Sequence, residues 1–428
     1  MTRPPARPKT RPRLVQRLRK PAYHSALGPG LVTGAADDDP SGIATYSQAG
    51  ASYGFALLWS VVLAWPFLTA FQFTCAEIAR VTGRGLAANL SAHLPRTAVW
   101  AVVVMLLGAN IFNIAADIAA MGEAARLVTG LPRLPLMVGF AVLSLGLQIF
   151  VPYHRYVGLL KWLTLSLFAY VAVVLVVGVE WRQVWQGLVP SLPAGSATTV
   201  VAILGTTISP YLFFWQSGQE LEEMRLENAR PLLSHPRGSG RQLRRLMRDS
   251  LGGFLVTMVV SLCIIAATAA TLHSGGGTTI ATAADAAAAL RPVAGDFAFA
   301  LFALGIVGTG MLAVPVLAGS AAYALAEVMG WRAGLELKPR EAGGFYGVIF
   351  VAVAAALALD LAGIDAMKAL FWTAVVNGVV AVPVMLAIMV LASRRAVMGK
   401  FRARGAQAVL GWGAVLLMLA ASAGMVLG

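Results

Sequence analysis

The segment that decides the fold is residues 31–45, Leu-Val-Thr-Gly-Ala-Ala-Asp-Asp-Asp-Pro-Ser-Gly-Ile-Ala-Thr. It lies inside an apolar stretch, residues 26–52, that is long enough to cross the ~30 Å hydrocarbon core of a membrane as a helix. A central Asp costs roughly 2.5 to 3.5 kcal/mol on insertion scales, so the three carboxylates must face water, a cation or protein. Because Pro40 cannot donate to the carbonyl of Ala36, the helix is predicted to unwind here.

Ten further apolar stretches follow, and together they predict an all-helical, polytopic membrane protein. The chain has 428 residues, of which 58% are hydrophobic and 12% charged, with a mean hydropathy of +0.75. This composition excludes a water-soluble enzyme. No nucleotide-binding loop or catalytic triad pattern is present, so neither an enzyme nor an ATP-driven pump is expected. Numbered from the stretch at 26–52, spans 2 to 11 are predicted at residues 55–79, 98–128, 134–151, 159–179, 197–220, 251–272, 297–328, 345–361, 366–391 and 406–427.

The net charge of +14 indicates orientation in the membrane rather than a nucleic-acid partner. Of the 33 Lys and Arg residues, 28 fall in the N-terminal segment and in the loops that follow even-numbered spans. The positive-inside rule then places the N-terminus in the cytoplasm and the C-terminus outside. We expect a multi-pass protein of the cell membrane whose surroundings are the lipid bilayer.

Span 6 contains a second break. Residues 205–211 read Gly-Thr-Thr-Ile-Ser-Pro-Tyr, and Pro210 leaves the carbonyl of Thr206 without its usual donor. Spans 1 and 6 lie five apart and therefore cross the membrane in opposite directions. Paired interrupted helices in inverted halves indicate the midplane substrate site of a secondary transporter. Negative helix ends at the breaks, together with Asp39, favour a cation there.

These features predict a division of the chain into three parts. Residues 1–25 are a disordered basic cytoplasmic arm, and residues 26–392 form the transporter core. Within the core, residues 26–180 are the first repeat and residues 197–392 its inverted counterpart. Residues 393–428 supply a cytoplasmic loop and a peripheral last helix.

The order of the motifs resembles the natural resistance-associated macrophage protein (NRAMP) family. Residues 39–45, Asp-Pro-Ser-Gly-Ile-Ala-Thr, are similar to the family's first-helix signature Asp-Pro-Gly-Asn-Ile-Ala-Thr. Residues 81–87, Val-Thr-Gly-Arg-Gly-Leu-Ala, resemble its Val-Thr-Gly-Arg-Asp-Leu-Ala, and residues 116–119, Ala-Asp-Ile-Ala, resemble the acidic motif of its third helix. The resemblance implies the leucine-transporter fold, with a 5+5 inverted repeat, and transport of divalent metals.

Departures from the family pattern alter the expected metal site. The family's Asn ligand falls at Gly42, and its sixth-helix Ala-Thr-Val-Met-Pro-His becomes Thr-Thr-Ile-Ser-Pro-Tyr at residues 206–211. The site thereby loses its soft sulfur, which would favour transition metals over hard ions. Mg²⁺, which usually keeps several waters, becomes the expected substrate, with Mn²⁺ also carried, as in the NRAMP-related magnesium-transporter branch. The expected metal-site positions are Asp39, Thr206, Ser209, Ala36 and Gly42.

Proton coupling is expected to be weak or absent. At the positions aligned with the family's sixth-helix histidine stand Tyr211 and Gln216, and neither residue type titrates near neutral pH. Asp117, together with Glu123 and Arg80, is interpreted as a proton path or a salt-bridge path, with Asp117 paired to Arg80. The residues expected to line a vestibule or surround the site are Asp37, Asp38, Tyr211, Gln216, Gln219 and Glu220.

A second hypothesis keeps the fold and changes the cargo to an amino acid or another organic cation, with Asp39 serving an ammonium group. Asn110, Asn113 and Asn377 fit either interhelical hydrogen bonds or substrate contacts. No cofactor is expected beyond the transported ion. The sequence is compatible with a monomer and leaves the oligomeric state open.

Overall fold

The computed structural model describes residues 34, 37–151, 155, 162–276, 279–363 and 365–427. The predicted basic arm and Ala36 lie outside the described residues. The helices, in chain order, are α1 (Pro40–Tyr53), α2 (Leu58–Thr82), α3 (Leu86–His93), α4 (Arg96–Thr129), α5 (Arg133–Phe150), α6 (Phe168–Val176), α7 (Trp181–Gly187), α8 (Ala197–Thr207), α9 (Pro210–Leu226), α10 (Ser239–Thr268), α11 (Ala283–Ala288), α12 (Arg291–Ala294), α13 (Ala298–Met329), α14 (Gly343–Asp360), α15 (Ala366–Ser393), α16 (Arg395–Met398) and α17 (Ala406–Leu427).

The predicted spans are recovered wherever the structure describes them. Within the described ranges, nine helical segments are long and apolar enough to cross a membrane, and a bent pair in span 5 raises the number to ten. That pair turns by 120° between Val176 and Trp181. The described part of span 1 is α1, which is 14 residues long. The helix of span 7 begins earlier than predicted. α10 starts at Ser239 with a charged segment and becomes apolar only further along the chain.

Both predicted helix breaks are present. Asp39 stands outside α1 with extended backbone angles (φ −70°, ψ 170°), and Pro40 is the first helical residue. In span 6, α8 ends at Thr207 and α9 begins at Pro210. A proline at the start of a helix loses nothing, because its missing N–H would have had no helical partner there. The prolines thus restart the two helices after a short unwound segment.

In a protein with consecutive membrane spans, the connections after even-numbered spans lie on one side and those after odd-numbered spans on the other. Contacts near the ends of the spans agree with this division. At one end, Arg394 after span 10 donates to the carbonyl of His93 after span 2 (3.0 Å). At the same end, Leu232 N–H after span 6 donates to the carbonyl of Arg80 (3.1 Å). At the other end, the Tyr53 hydroxyl donates to Gly195 O at 2.8 Å, which joins the connections after spans 1 and 5. The cytoplasmic assignment of the first end remains a prediction from charge.

The two broken spans lie at the centre of the bundle. α1 packs against α8, α10 and α15, while α9 packs against α2 and α13. α8 and α15 approach so closely that a Cβ on Gly205 would lie 2.1 Å from the carbonyl oxygen of Ala374. Glycine is required at that crossing because any side chain would push the two helices apart. In contrast, α17 buries few of its residues.

Candidate functional site

Asp39 is the centre of the candidate site, and four donors hold its buried carboxylate. Oδ1 accepts from the Ser41 hydroxyl at 2.6 Å and from the Gly42 N–H at 2.8 Å. Oδ2 accepts from Asn113 Nδ2 at 3.1 Å and from the Tyr211 hydroxyl at 3.2 Å. The carboxylate also caps the positive N-terminal end of α1, which stabilises its charge. Spans 1, 3 and 6 therefore meet at one anionic group.

The two helix breaks face each other. Ser41 Oγ lies 3.3 Å from Thr206 Oγ1, and Tyr46 OH lies 2.8 Å from Thr207 Oγ1. Gly42 makes this approach possible, because a Cβ at that position would already lie 3.3 Å from Thr206 Oγ1. Its N–H is donated to Asp39, and because it has no side chain Gly42 offers no side-chain ligand of the kind that stands there in the family motif.

The side chain of Ser209 hydrogen-bonds the backbone carbonyl of Thr206 in this conformation. The Ser209 hydroxyl donates to the Thr206 carbonyl at 2.6 Å and lies 3.1 Å from the Gly205 carbonyl. It thereby replaces the hydrogen bond that Pro210 removes from the helix. The Thr206 carbonyl is freed from the helix, as predicted, but the serine side chain turns back to it. A cation at this carbonyl would share it with the Ser209 hydroxyl or displace that hydroxyl.

Asp37 and Asp38 are also buried beside Asp39 but are held much less firmly. Within the described part of the chain, neither carboxylate oxygen of Asp37 has a hydrogen-bond partner. Ser261 Oγ of α10 lies 3.5 Å from Asp38 Oδ1, a long contact for a hydrogen bond. When these carboxylates are ionised they repel Asp39 and one another, and a cation bound among them would relieve that repulsion.

Glu220, which was predicted to line a path along α9, is held in an ion pair. Glu220 and Arg80 are both buried and form a salt bridge, and Arg80 also contacts Glu227 at 3.1 Å. Of the other predicted lining residues, Gln216 is buried, and the Gln219 amide donates to Tyr323 OH at 3.3 Å. α2 and α9 are thus locked together at the end where the positive charges concentrate.

The structure corrects the interpretation of Asp117. Its predicted partner Arg80 is engaged by Glu220 and Glu227, so the Asp117–Arg80 pair is wrong. Both oxygens of Asp117 are buried without a hydrogen-bond partner among the described residues. Glu123 instead pairs with Arg126 one turn along α4, at 2.5 Å. Arg80 thus finds its partners in α9 and the residue that follows it, whereas Glu123 finds its partner within α4.

Asn113 is a site residue that the sequence left ambiguous. It lies on α4 together with Asn110, and the two could not be distinguished by spacing. Asn110 donates to Leu317 O at 2.9 Å and to Ser320 Oγ at 2.7 Å, which makes it a packing contact. Asn113, one turn further along, points to Asp39. The break at Asp39 and Pro40 in span 1 was the sequence signal that could have distinguished Asn113 from Asn110.

The arrangement can bind a cation through oxygen atoms. The described residues contain no group of three or more His, Cys, Asp or Glu side chains placed to hold a metal ion. An ion at Asp39 would therefore draw its remaining ligands from carbonyl, hydroxyl and amide oxygens and from water. Such ligands suit hard divalent ions.

Known proteins similar to this chain are membrane transporters. The sequence model of the family described as "Natural resistance-associated macrophage protein-like" matches residues 30–428. The divalent metal cation transporter MntH of Acidiphilium cryptum is 31% identical over 92% of this chain and 88% of its own length. The MntH of Burkholderia ambifaria is 29% identical over 88% of this chain and 83% of its own length.

Solved structures show the same fold. A crystal structure of the Eremococcus coleocola manganese transporter matches with a TM-score of 0.71 at 18% identity, covering 92% of this chain and 84% of that one. Mhp1, a nucleobase-cation-symport-1 family transporter, matches with a TM-score of 0.55 at 14% identity, covering 93% and 92%. The predicted leucine-transporter-type fold is confirmed by these likenesses.

Proposed function

The chain belongs to the natural resistance-associated macrophage protein family, and from that premise we propose that it carries divalent metal cations across the cell membrane through the site at Asp39. The family consists of transporters, so the chain is a multi-pass protein of the cytoplasmic membrane and not an enzyme. The observation that carries the proposal is the buried carboxylate of Asp39 at the first helix break. The second break lies beside it, because the hydroxyl oxygens of Ser41 and Thr206 are 3.3 Å apart.

The expected substrate is a hard ion, Mg²⁺ first and Mn²⁺ second. Support comes from position 209, where a serine stands in place of the thioether of the family motif. Its hydroxyl hydrogen-bonds the Thr206 carbonyl, so the groups around this break are oxygens. A site built from oxygen gives up the preference of sulfur for softer metals. Mg²⁺ prefers oxygen ligands and usually keeps several waters.

Transport is expected to be weakly coupled or uncoupled to protons and driven by the membrane potential and the ion gradient. Tyr211, at the position of the family's histidine, contacts Asp39 directly but does not titrate near neutral pH. The three described histidines hydrogen-bond away from Asp39: His93 to Asn89 O, His273 to Ala51 O, and His235 to Ser234 in the loop after span 6. A proton relay beside the ion would need a different group.

The test is uptake by the purified protein in proteoliposomes, across a panel of Mg²⁺, Mn²⁺, Ca²⁺ and Cd²⁺, with a pH dye trapped inside. We expect uptake of Mg²⁺ and Mn²⁺ that increases with a negative internal potential and leaves the internal pH unchanged. Asp39→Asn should abolish uptake, whereas Glu123→Gln, an acid outside the site, should retain it. Stoichiometric internal acidification would refute the coupling proposal, and uptake confined to Cd²⁺ and Mn²⁺ would refute the preference for hard ions.

The competing cargo, an amino acid or organic cation bound through its ammonium group at Asp39, is an outcome of the same experiment. If none of the four metals enters and a labelled amino acid does, the cargo proposal is wrong while the fold assignment stands. The named activities of the curated relatives favour the metal.

A further inference from the structure

An apolar groove lies where spans 3, 8 and 9 meet. α4, α13 and α14 pack against one another there and leave a cavity of about 360 Å³ between them. Its walls include Leu107 and Ile111 of α4, Leu325 of α13 and Val351 of α14, with Trp331 at one end. Val351 is 62% exposed, so the groove opens to the surface of the bundle. Its volume falls within the range of sites that bind small molecules.

Two glycines of α14 create the space in this groove. A Cβ on Gly344 would lie 2.5 Å from the Trp331 ring, whereas a Cβ on Gly347 would have no atom within 4 Å. From Gly344 to Val351 the groove follows α14 for about 10 Å, or roughly two-thirds of one leaflet of a ~30 Å hydrocarbon core. The hydrocarbon core holds no water, so a space that opens to it at this depth is filled by an acyl chain.

The end of the groove at Trp331 and Gly344, called its mouth, lies at the membrane surface and carries basic groups. Trp331 is 42% exposed, and tryptophan is typical of the membrane–water interface. The connection from span 8 to span 9 starts at this residue, and its exposed basic residues are Arg332, Lys338 and Arg340. Two acids, Glu336 and Glu341, also lie in this connection. Glu341 is directed inward, because its carboxylate accepts the Lys338 N–H at 3.3 Å.

α4 adds a fourth basic residue at the same end of the bundle. Arg96 is the first residue of this helix, is exposed, and has no acid beside it in the first turn. It stands eleven positions before Leu107, which corresponds to about 20° around the helix, so it lies on the groove side of α4. Four cations and two acids therefore surround the approach to an apolar groove.

The connection at the mouth is held in place by groups from inside the bundle. Arg225 of α9 donates to the carbonyl of Ala333 at 2.8 Å. The N–H of Leu335 donates to the buried carboxylate of Glu222 at 2.6 Å. The basic residues are thus carried on an ordered segment, and a ligand that binds them does not have to bear the entropy cost of ordering it.

We propose that this groove is a binding site for an anionic phospholipid, with one acyl chain between spans 3 and 9 and the phosphate headgroup at Arg332 and its basic neighbours. This goes beyond the proposed transport function and does not depend on it. Guanidinium groups bind phosphate oxygens through paired, charge-assisted hydrogen bonds. Basic pockets between membrane helices at the cytoplasmic surface select anionic headgroups, and the charge distribution predicts that this end is cytoplasmic. A zwitterionic lipid offers the same chain but less net attraction.

The first test measures thermal unfolding in detergent at rising concentrations of phosphatidylglycerol or phosphatidylcholine. For the wild-type protein we expect a half-maximal concentration about tenfold lower for phosphatidylglycerol. Gly347→Leu fills the empty part of the groove and should raise that concentration at least about tenfold. The matched control is Gly139→Leu on α5, which is also exposed and also has open space at its Cβ, and it should respond as the wild type does.

The second test removes the charges at the mouth and leaves the groove intact. The triple variant Arg332→Gln, Lys338→Gln, Arg340→Gln should respond equally to the two lipids. Its control removes three exposed charges from the connection after span 10, at Arg395, Lys400 and Arg402, and should keep the preference for phosphatidylglycerol. These surface changes keep the proposal testable if Gly347→Leu does not fold.

The lipid proposal is overturned if the wild-type protein responds equally to both lipids, or if Gly347→Leu keeps the full response. Equal losses in the two triple variants would also overturn it, because they would mean that the whole basic surface attracts the lipid. Light scattering in detergent tests the competing occupant: a wild-type dimer that Gly347→Leu converts to a monomer would assign the groove to a second copy of the chain.

Discussion

Replacing Asp39 by asparagine should remove the stabilisation that a bound cation gives the protein. The substitution keeps the shape of the side chain and removes its charge. A ligand present at 100 times its Kd stabilises the folded state by about 2.7 kcal/mol, which corresponds to several degrees in Tm. In the wild-type protein, Mg²⁺ or Mn²⁺ at such a concentration should produce that gain, and in Asp39→Asn the gain should vanish.

The metal-free stability of Asp39→Asn is expected to change much less than a count of its contacts suggests. Four hydrogen bonds end on the carboxylate, and bonds to a charged group contribute roughly 1.5 to 3 kcal/mol each, against about 1 kcal/mol for neutral pairs. An amide also presents an NH₂ group to donors that require an acceptor. The removal of a buried charge offsets part of this loss. The informative quantity is therefore the difference in Tm with and without the ion, taken within each variant.

The assay is thermal unfolding in detergent at rising Mg²⁺ or Mn²⁺ concentration, with Glu77→Gln as the control. Glu77 is a buried acid on α2 whose carboxylate accepts from Gln407 Nε2 at 2.7 Å, and its variant should keep the full gain. If Asp39→Asn keeps the wild-type gain, the cation is not held by the carboxylate at the break.

Two further predictions concern position 209 and the ion pair at the end of span 6. Ser209→Met removes the hydroxyl that donates to Thr206 and adds a sulfur, so uptake of Cd²⁺ relative to Mg²⁺ should rise by about tenfold; unchanged selectivity would mean that this side chain does not face the ion. Arg80→Gln leaves Glu220 buried without its partner and should lower the free energy of unfolding by about 3 to 5 kcal/mol. Arg245→Gln, which breaks a more exposed pair, should cost about 0 to 1 kcal/mol, and equal costs in denaturant unfolding would contradict the assignment of the buried pair.

The parts of the structure that follow from local chemistry were predicted well from the sequence. Pro40 and Pro210 fix where the two helices restart, because a proline removes a backbone donor whatever its surroundings. The spans follow from hydropathy, since the membrane sets their length. Hydropathy gave too short a helix for α10, because its first residues from Ser239 onward are helical but charged rather than apolar.

The partners of buried polar groups could not be predicted, because they depend on which helices lie side by side. Arg80 was matched to Asp117, yet the structure brings Glu220 and Glu227 to it from span 6 and the loop that follows. The hydrogen bond of Ser209 was also not predicted: its hydroxyl donates at 2.6 Å to the carbonyl of Thr206, which Pro210 frees from the helix. In each case a nearby unsatisfied group that sequence spacing does not reveal determined the pairing.

The hydrogen bonds of Asp39 also connect ion binding to the closure of the site. A carboxylate has about four lone-pair positions, and the four donors around Asp39 use them all. The two bonds on Oδ1 come from α1 itself, which the carboxylate caps, and are the shorter ones at 2.6 and 2.8 Å.

The two bonds on Oδ2 come from other helices, from Asn113 at 3.1 Å and Tyr211 at 3.2 Å. An ion that coordinates Asp39 directly must take a lone pair from one of the four donors, and the longer bonds on Oδ2 are the weaker ones. Binding at Oδ2 therefore replaces a hydrogen bond between spans 1 and 3, or between spans 1 and 6, with a bond to the cation. Because an effector can shift a conformational equilibrium only through contacts that differ between the two states, these exchanged ties give the ion a direct means of changing how span 1 is held.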